Sequence, residues 1–157
     1  MSKTRIEKDS MGELAVPAEA LYAAQTQRAV DNFPVSGQPM PAPFIRALLL
    51  AKRAAASANS ELEQIPSELA EAICGAVDEL LATDFMPHFP VDVFQTGSGT
   101  SSNMNANEVL ATLAARRYGQ PVSANDHINC GQSSNDIIPS SIHISAAMEL
   151  AEQLLPA

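Results

Sequence analysis

Two short segments gather groups that can hold an anion without carrying charge themselves. In Gln95-Thr96-Gly97-Ser98-Gly99-Thr100-Ser101-Ser102-Asn103, glycines alternate with hydroxyls and amides, and Gln132-Ser133-Ser134-Asn135-Asp136 repeats the arrangement further along. Each segment runs into an apolar stretch with helical spacing. Small hydroxyl side chains and glycine-freed backbone N–H groups therefore collect at the start of a helix, where partial positive charge gathers. A planar carboxylate needs several donors in fixed positions. Ser98, Thr100, Ser133, Ser134 and Asn135 can supply them, with Gly99 removing bulk between the first two. Taken singly, each loop reads first as a helix cap, because Ser, Asn and Asp are the usual capping residues. The pair together points to a ligand. Neither is a nucleotide loop: Gly97-Ser98-Gly99 lacks the third glycine of a dinucleotide fingerprint, and no lysine follows in the P-loop position.

Other candidate chemistry is sparse. His88 lies among apolar residues and prolines and reads as structural, and His143 sits on a helix. His127, within Asn125-Asp126-His127-Ile128-Asn129, is ambiguous, since no Ser-His-Asp or metal-ligand pattern assembles around it. Cys74 and Cys130 have no CxxC or Cys/His spacing and read as inert thiols. A net charge of -9 sets the global field against nucleic acid and acidic membranes, and Arg116-Arg117 forms no extended patch. With 11 prolines and 7 glycines in 157 residues, no internal repeat and no apolar run of membrane-spanning length, a globular chain is expected. The N-terminus lacks the apolar core of a signal peptide, and its acids argue against a transit peptide, which leads to an expectation of the cytoplasm.

The elements that must position the two loops are mainly helical, as frequent alanine and only 4% aromatic residues suggest. Residues 1–20 are polar and turn-prone, and Pro17 is expected to open a short helix reaching about Val30. Four prolines between Phe33 and Pro43 exclude regular structure there. From Phe44 to about Gln64, Ile45, Leu48, Leu49, Lys52 and Ala56 recur at helical spacing, and Leu69, Ile73, Val77, Leu80 and Leu81 do so after Pro66. Val91-Asp92-Val93-Phe94 alternates like a short strand before the first loop. Asn105 and Glu108 resemble a capping box opening a helix that ends at Tyr118, where Gly119 suits a left-handed cap and Pro121 cannot continue. A further helix carries Ile142, Ile144, Ala147, Met148, Ala151 and Leu155, with Pro139 expected in its first turn. Its stripe still runs at Leu154-Leu155-Pro156-Ala157 with no cap, so the chain reads as a fragment.

Three ordered motifs carry a resemblance. Ala23-Ala24-Gln25-Thr26-Gln27-Arg28, the run QTGSGTSSNMNANEV from Gln95 to Val109, and QSSND from Gln132 to Asp136 resemble class II fumarate hydratases of the fumarase/aspartase superfamily, as does Arg5 to Gly12. The resemblance implies a mainly α fold: an N-terminal helical domain over 1–136 with two substrate-binding loops, then the beginning of a central helical-bundle helix over 137–157. It implies reversible hydration of fumarate to L-malate in the citric acid cycle, in a homotetramer, with no metal and no cofactor. In that chemistry a base removes a proton beside a carboxylate, a doubly charged aci-carboxylate forms, and the group on the adjacent carbon leaves. Ser98, Gly99, Thr100, Ser133, Ser134 and Asn135 would bind the dicarboxylate. The family's catalytic serine and histidine, and a charge-offsetting lysine, lie in motifs this chain does not contain. The chain would then hold no catalytic residue and be inactive alone.

Two alternatives accompany this reading. Aspartate ammonia-lyase shares the NMNxNEV segment, but Thr96-Gly97-Ser98 and Ser134 are closer to fumarase. A non-catalytic carboxylate-binding or assembly module would keep the loops without the base. One departure stands out: the family commonly has His-Pro-Asn-Asp at a second carboxylate site, where this chain has Ser123-Ala124-Asn125-Asp126. Losing the imidazole removes a possible cationic donor, so weaker binding is expected there.

Overall fold

Alanine and leucine at helical spacing after the proline-rich segment fold as the computed structural model, which describes residues 3–157, shows: α2 spans Ala42–Glu61 and α3 spans Ser67–Leu81, each entered through a proline. Both lie within a few residues of the expected helices. Ile45, Leu48 and Leu49 of α2 and Leu69, Ile73 and Val77 of α3 are fully buried against one another and against α4, Thr100–Tyr118, through Val109, Leu110 and Leu113. Helix α5, Ser134–Glu149, lies mainly on α2 and continues as a π-type turn over Leu150–Leu154. The fold is mainly helical, as the composition indicates.

The N-terminal segment departs from expectation. Thr4–Asp9 and Gly12–Pro17 form an antiparallel hairpin, β1 and β2, in register Thr4↔Pro17, so Pro17 closes a strand and opens no helix. Arg5 explains why: its guanidinium donates to the carbonyls of Pro17, Ala18, Ala20 and Tyr22 at 2.9, 3.2, 2.6 and 2.6 Å. These bonds tie residues 17–22 to the hairpin in a non-helical path. Helix α1 begins only at Ala24 and ends at Asn32. Arg28 ties it to the hairpin through both Asp9 oxygens, at 2.8 and 3.0 Å, and this pairing holds the Asp9 carboxyl below the usual range.

Three further expectations are corrected. Val91 to Phe94 forms no strand; an isolated bridge joins Asp92 to Pro39, and the facing segment carries Pro39 and Pro41, which have no N–H to extend a ladder. The box of Asn105 and Glu108 does not open α4, which starts five residues earlier, after Gly99 in the left-handed region at φ 69°. Both residues are buried within the helix: the Asn105 amide donates to the His88 carbonyl at 2.8 Å, and Glu108 caps α1. Pro139 lies past the first turn, in the interior of α5. Lacking an N–H, it leaves the Asn135 carbonyl without its intrahelical donor. The end of α4 is as expected, with Gly119 at φ 76° after Tyr118.

Helix α5 buries Ile138 and Ser141 and leaves Ile142, Ile144, Leu150, Leu154 and Leu155 exposed. Among the described residues, no helix is long and apolar enough to cross a membrane.

Candidate functional site

The first loop is shaped by its own side chains. Gln95 donates to Ser102 Oγ at 2.8 Å and accepts from the Ser102 N–H at 2.9 Å, closing the turn across its mouth. Gly99 makes the left-handed step that turns the loop into α4, and it has no room for a side chain: a Cβ there would stand 3.0 Å from Ile138 Cγ2 and 3.1 Å from Cγ1. Ile138 belongs to α5, so through this glycine the first loop packs closely on the helix that the second loop leads into. The loop's base rests on Asp92. Its carboxylate accepts from the N–H groups of Ser36, Gly37 and Phe94 at 2.7, 2.7 and 2.8 Å, and from the Ser36 hydroxyl. Burial would raise this carboxyl, but these donors outweigh it and bring it down to about 2.

Between the loops lies an open cavity of about 430 Å³. Ser98 and Gly99 from the first loop and Asn135 from the second line it, over an apolar floor that includes Phe44 and Ile138. The remaining expected residues sit around it. Thr100 is off the lining, and its hydroxyl pairs with that of Ser98 at 2.9 Å. Ser133 is the N-cap of α5, its hydroxyl accepting from the Asn135 N–H at 3.2 Å. Ser134 Oγ accepts from the buried Asn103 amide at 3.0 Å. Capping therefore accounts for Ser133 but not for Ser98 or Thr100, because α4 begins with no side-chain cap.

A buried polar layer underlies the second loop, and Lys52 is its charged member. Burial pushes its ammonium down to about 7, and it donates to Asn129 Oδ1 at 3.1 Å and Gln132 Oε1 at 2.7 Å. In the sequence this layer shows only as a lysine, Lys52, on an apolar stripe.

Around Ser123 the local geometry is closed. Its hydroxyl bonds the Asp126 carboxylate at 2.7 Å and accepts from the Asp126 N–H at 3.0 Å, and its own N–H donates to His127 Nδ1 at 3.0 Å. Ala124 to Ile128 form a π-type turn, with Asn125 and Asp126 exposed. Burial lowers the His88 imidazole below its ordinary value, and His143 is exposed on α5. Among the described residues, no cluster of three or more His, Cys, Asp or Glu is placed to hold a metal ion.

Comparisons with known proteins give the family of the chain. A family model described as lyase matches residues 12–157. The chain is 73% identical over 157 residues to a class II fumarate hydratase of Pseudomonas aeruginosa, covering 100% of this chain and 34% of that one. It is 56% identical over 153 residues to a class II fumarate hydratase of Xylella fastidiosa, covering 98% and 32% respectively. The class II fumarase structure from Schistosoma mansoni superposes with a TM-score of 0.93 at 41% identity, over 98% of this chain and 34% of that one. The fumarate lyase:delta crystallin structure from Brucella melitensis gives a TM-score of 0.87 at 41% identity, over 95% and 36%. The chain spans about a third of the length of these relatives. With the family model covering almost all of it and fumarase-type relatives matching its sequence and its backbone alike, the chain belongs to the lyase family, on the side of the class II fumarate hydratases.

Proposed function

We propose that this chain is the dicarboxylate-gripping part of a fumarate hydratase, which interconverts fumarate and L-malate in the citric acid cycle. The observation that carries the reading is the cavity in which Ser98 and Gly99 of one loop face Asn135 of the other across an apolar floor. Neutral donors suit a ligand that is itself doubly charged, because they bind carboxylate oxygens without the desolvation cost of a buried ion pair. Thr100, paired with Ser98, orients that hydroxyl, and Ser134, held by Asn103, presents the second. The reaction needs a base to take the proton beside a carboxylate and an acid to accompany the departing hydroxide as water. Those groups are read as coming from further segments and neighbouring subunits, so these 157 residues are expected to be inactive alone.

The same reading divides the chain into a helical domain over 1–136 and the start of a bundle helix over 137–157, whose exposed Ile142, Ile144, Leu150, Leu154 and Leu155 suit burial in a homotetramer. The cytoplasm is the compartment proposed for it. A second carboxylate site at Ser123, Ala124, Asn125 and Asp126 is read as weak, because the Ser123 N–H and hydroxyl are already engaged with His127 and Asp126.

The deciding experiment is to assay the full-length protein for loss of fumarate absorbance and, separately, for ammonia release from aspartate. Hydration without ammonia release supports the reading. Ammonia release would move the protein to the aspartate ammonia-lyases, and neither activity would leave a carboxylate-binding module.

A further inference from the structure

Lys52 stands where the helical pattern calls for an apolar residue. It lies between Leu48 and Ala56 on the buried face of α2 and is 1% exposed. Among the described residues, no carboxylate lies within ion-pair distance of its ammonium. A buried ammonium persists only where protein acceptors replace its lost water. Its acceptors, Asn129 Oδ1 and Gln132 Oε1, both come from the segment that leads into Ser133, Ser134 and Asn135.

That segment is closed on itself. Gln132 Nε2 donates to the carbonyl of Ile128 at 2.8 Å, and Asn129 Nδ2 donates to the carbonyl of Gln132 at 3.1 Å. Asn129 Oδ1 also accepts from Asn103 and Asn107 of α4 at 3.1 and 3.2 Å, and Asn103 reaches on to Ser134. The amide oxygens of Asn103 and Asn107 are buried without a hydrogen-bond partner. Such an acceptor-rich patch suits a group with three N–H donors and no acceptor.

We propose that Lys52 is a positioning residue for the substrate site: through Asn129 and Gln132 it fixes the segment that carries Ser133, Ser134 and Asn135. The assignment rests on the reading of these loops as dicarboxylate-binding. Lys52 is not among the residues that line the cavity, so it acts through others. Groups that hold a carboxylate equally in substrate and transition state affect both states alike, and their misplacement appears in KM and not in kcat. A lysine needed only for folding would behave differently, because its loss lowers the active fraction, and hence the apparent kcat, at an unchanged KM.

Lys52→Met keeps the unbranched stem and removes the donors. In the full-length protein its KM for fumarate is expected to rise roughly ten- to 100-fold while kcat stays within about threefold. Asn129→Leu is expected to act in the same direction, and the double variant to be no worse than the more affected single one, because both break one path. Should Lys52→Met fail to fold, a KM rise with kcat retained in Asn129→Leu still supports the assignment. Loss of kcat at an unchanged KM in either folded variant overturns it. Additive effects do the same, as does failure of both variants to fold, which would make the network a stability element. The unaltered protein is assayed first. If it does not hydrate fumarate, the functional reading fails and this assignment with it; if it does and the variants keep its KM, the role of Lys52 alone fails.

Discussion

Gly99→Ala is the most economical test of the idea that the two loops form one site. Two effects add at this position. The backbone at φ 69° is left-handed, which costs a residue with a side chain about 1 to 2 kcal/mol. The new methyl would also stand 3.0 to 3.3 Å from three carbons of Ile138, and forcing a carbon into a packed contact costs about 1 to 3 kcal/mol. The expected loss is therefore about 2 to 5 kcal/mol, read from urea denaturation followed by circular dichroism. In the full-length protein the same methyl pushes Ser98 away from Asn135, and a displacement of this kind is expected to lower kcat/KM by about 100-fold. Gly97 provides the control within the same loop. A Cβ there meets nothing within 4 Å, so Gly97→Ala should change stability by no more than about 0.5 kcal/mol. Ile138→Ala removes the three opposing carbons and should recover the steric part of the loss in a double variant, leaving the backbone part. Equal stability effects at Gly97 and Gly99, or strict additivity between Gly99 and Ile138, would refute the close approach of the first loop to α5.

In the full-length protein, Thr100→Ala, which frees the Ser98 hydroxyl from its partner, or Ser134→Ala should lower kcat/KM by roughly ten- to 150-fold, as expected when one hydrogen bond to a charged oxygen is lost or misplaced; variants that lose only thermal stability would make the loops structural. Glu108→Ala should cost about 3 kcal/mol or more by leaving buried donors of α1 without an acceptor, and a calorimetric Tm close to that of the unaltered chain would contradict the cap. The Asp92 carboxyl titrates at about 2 in the fold against 3.8 ordinarily, so its contribution to stability is full above 3.8 and is lost as pH falls toward 2. Asp92→Asn should accordingly flatten the acid limb of stability against pH, and an unchanged limb in denaturant titrations would assign the acid sensitivity to other carboxylates.

Where apolar residues alone decide the packing, the sequence is legible. The stripes of α2 and α3 appear directly in Leu48, Leu49, Leu69, Ile73 and Val77, and Gly119 marks the end of α4. The start of α4 is not legible, because Ser102, Asn103, Asn105, Asn107 and Glu108 are polar and yet buried. Most of their partners, such as Asn129 and Ser134 for Asn103, His88 for Asn105 and Thr26 for Glu108, lie far along the chain, beyond the reach of a local pattern. The hairpin is hidden for a related reason: Ser10-Met11 is not a common turn pair, and Pro17 carries a helix signal that the Arg5 guanidinium cancels from a distance. The glycine and hydroxyl loops declare themselves by composition, whereas the layer beneath them shows only as a lysine out of place.

The cap on α1 has a consequence for the order in which the chain can acquire its structure. The helix has nine residues and no capping side chain of its own. Its first N–H groups, on Ala23, Gln25 and Thr26, and the Thr26 hydroxyl are satisfied by Glu108, at sequence separations of 82 to 85 residues. A helix this short is marginal in isolation, and closing so long a loop carries an entropic cost before any contact rewards it. On the ribosome, therefore, the N-terminal segment emerges first but must wait for α4 before it can settle. The first helix of the chain to be synthesised is among the last to become stable, and its amides should exchange with solvent at the rate at which α4 opens.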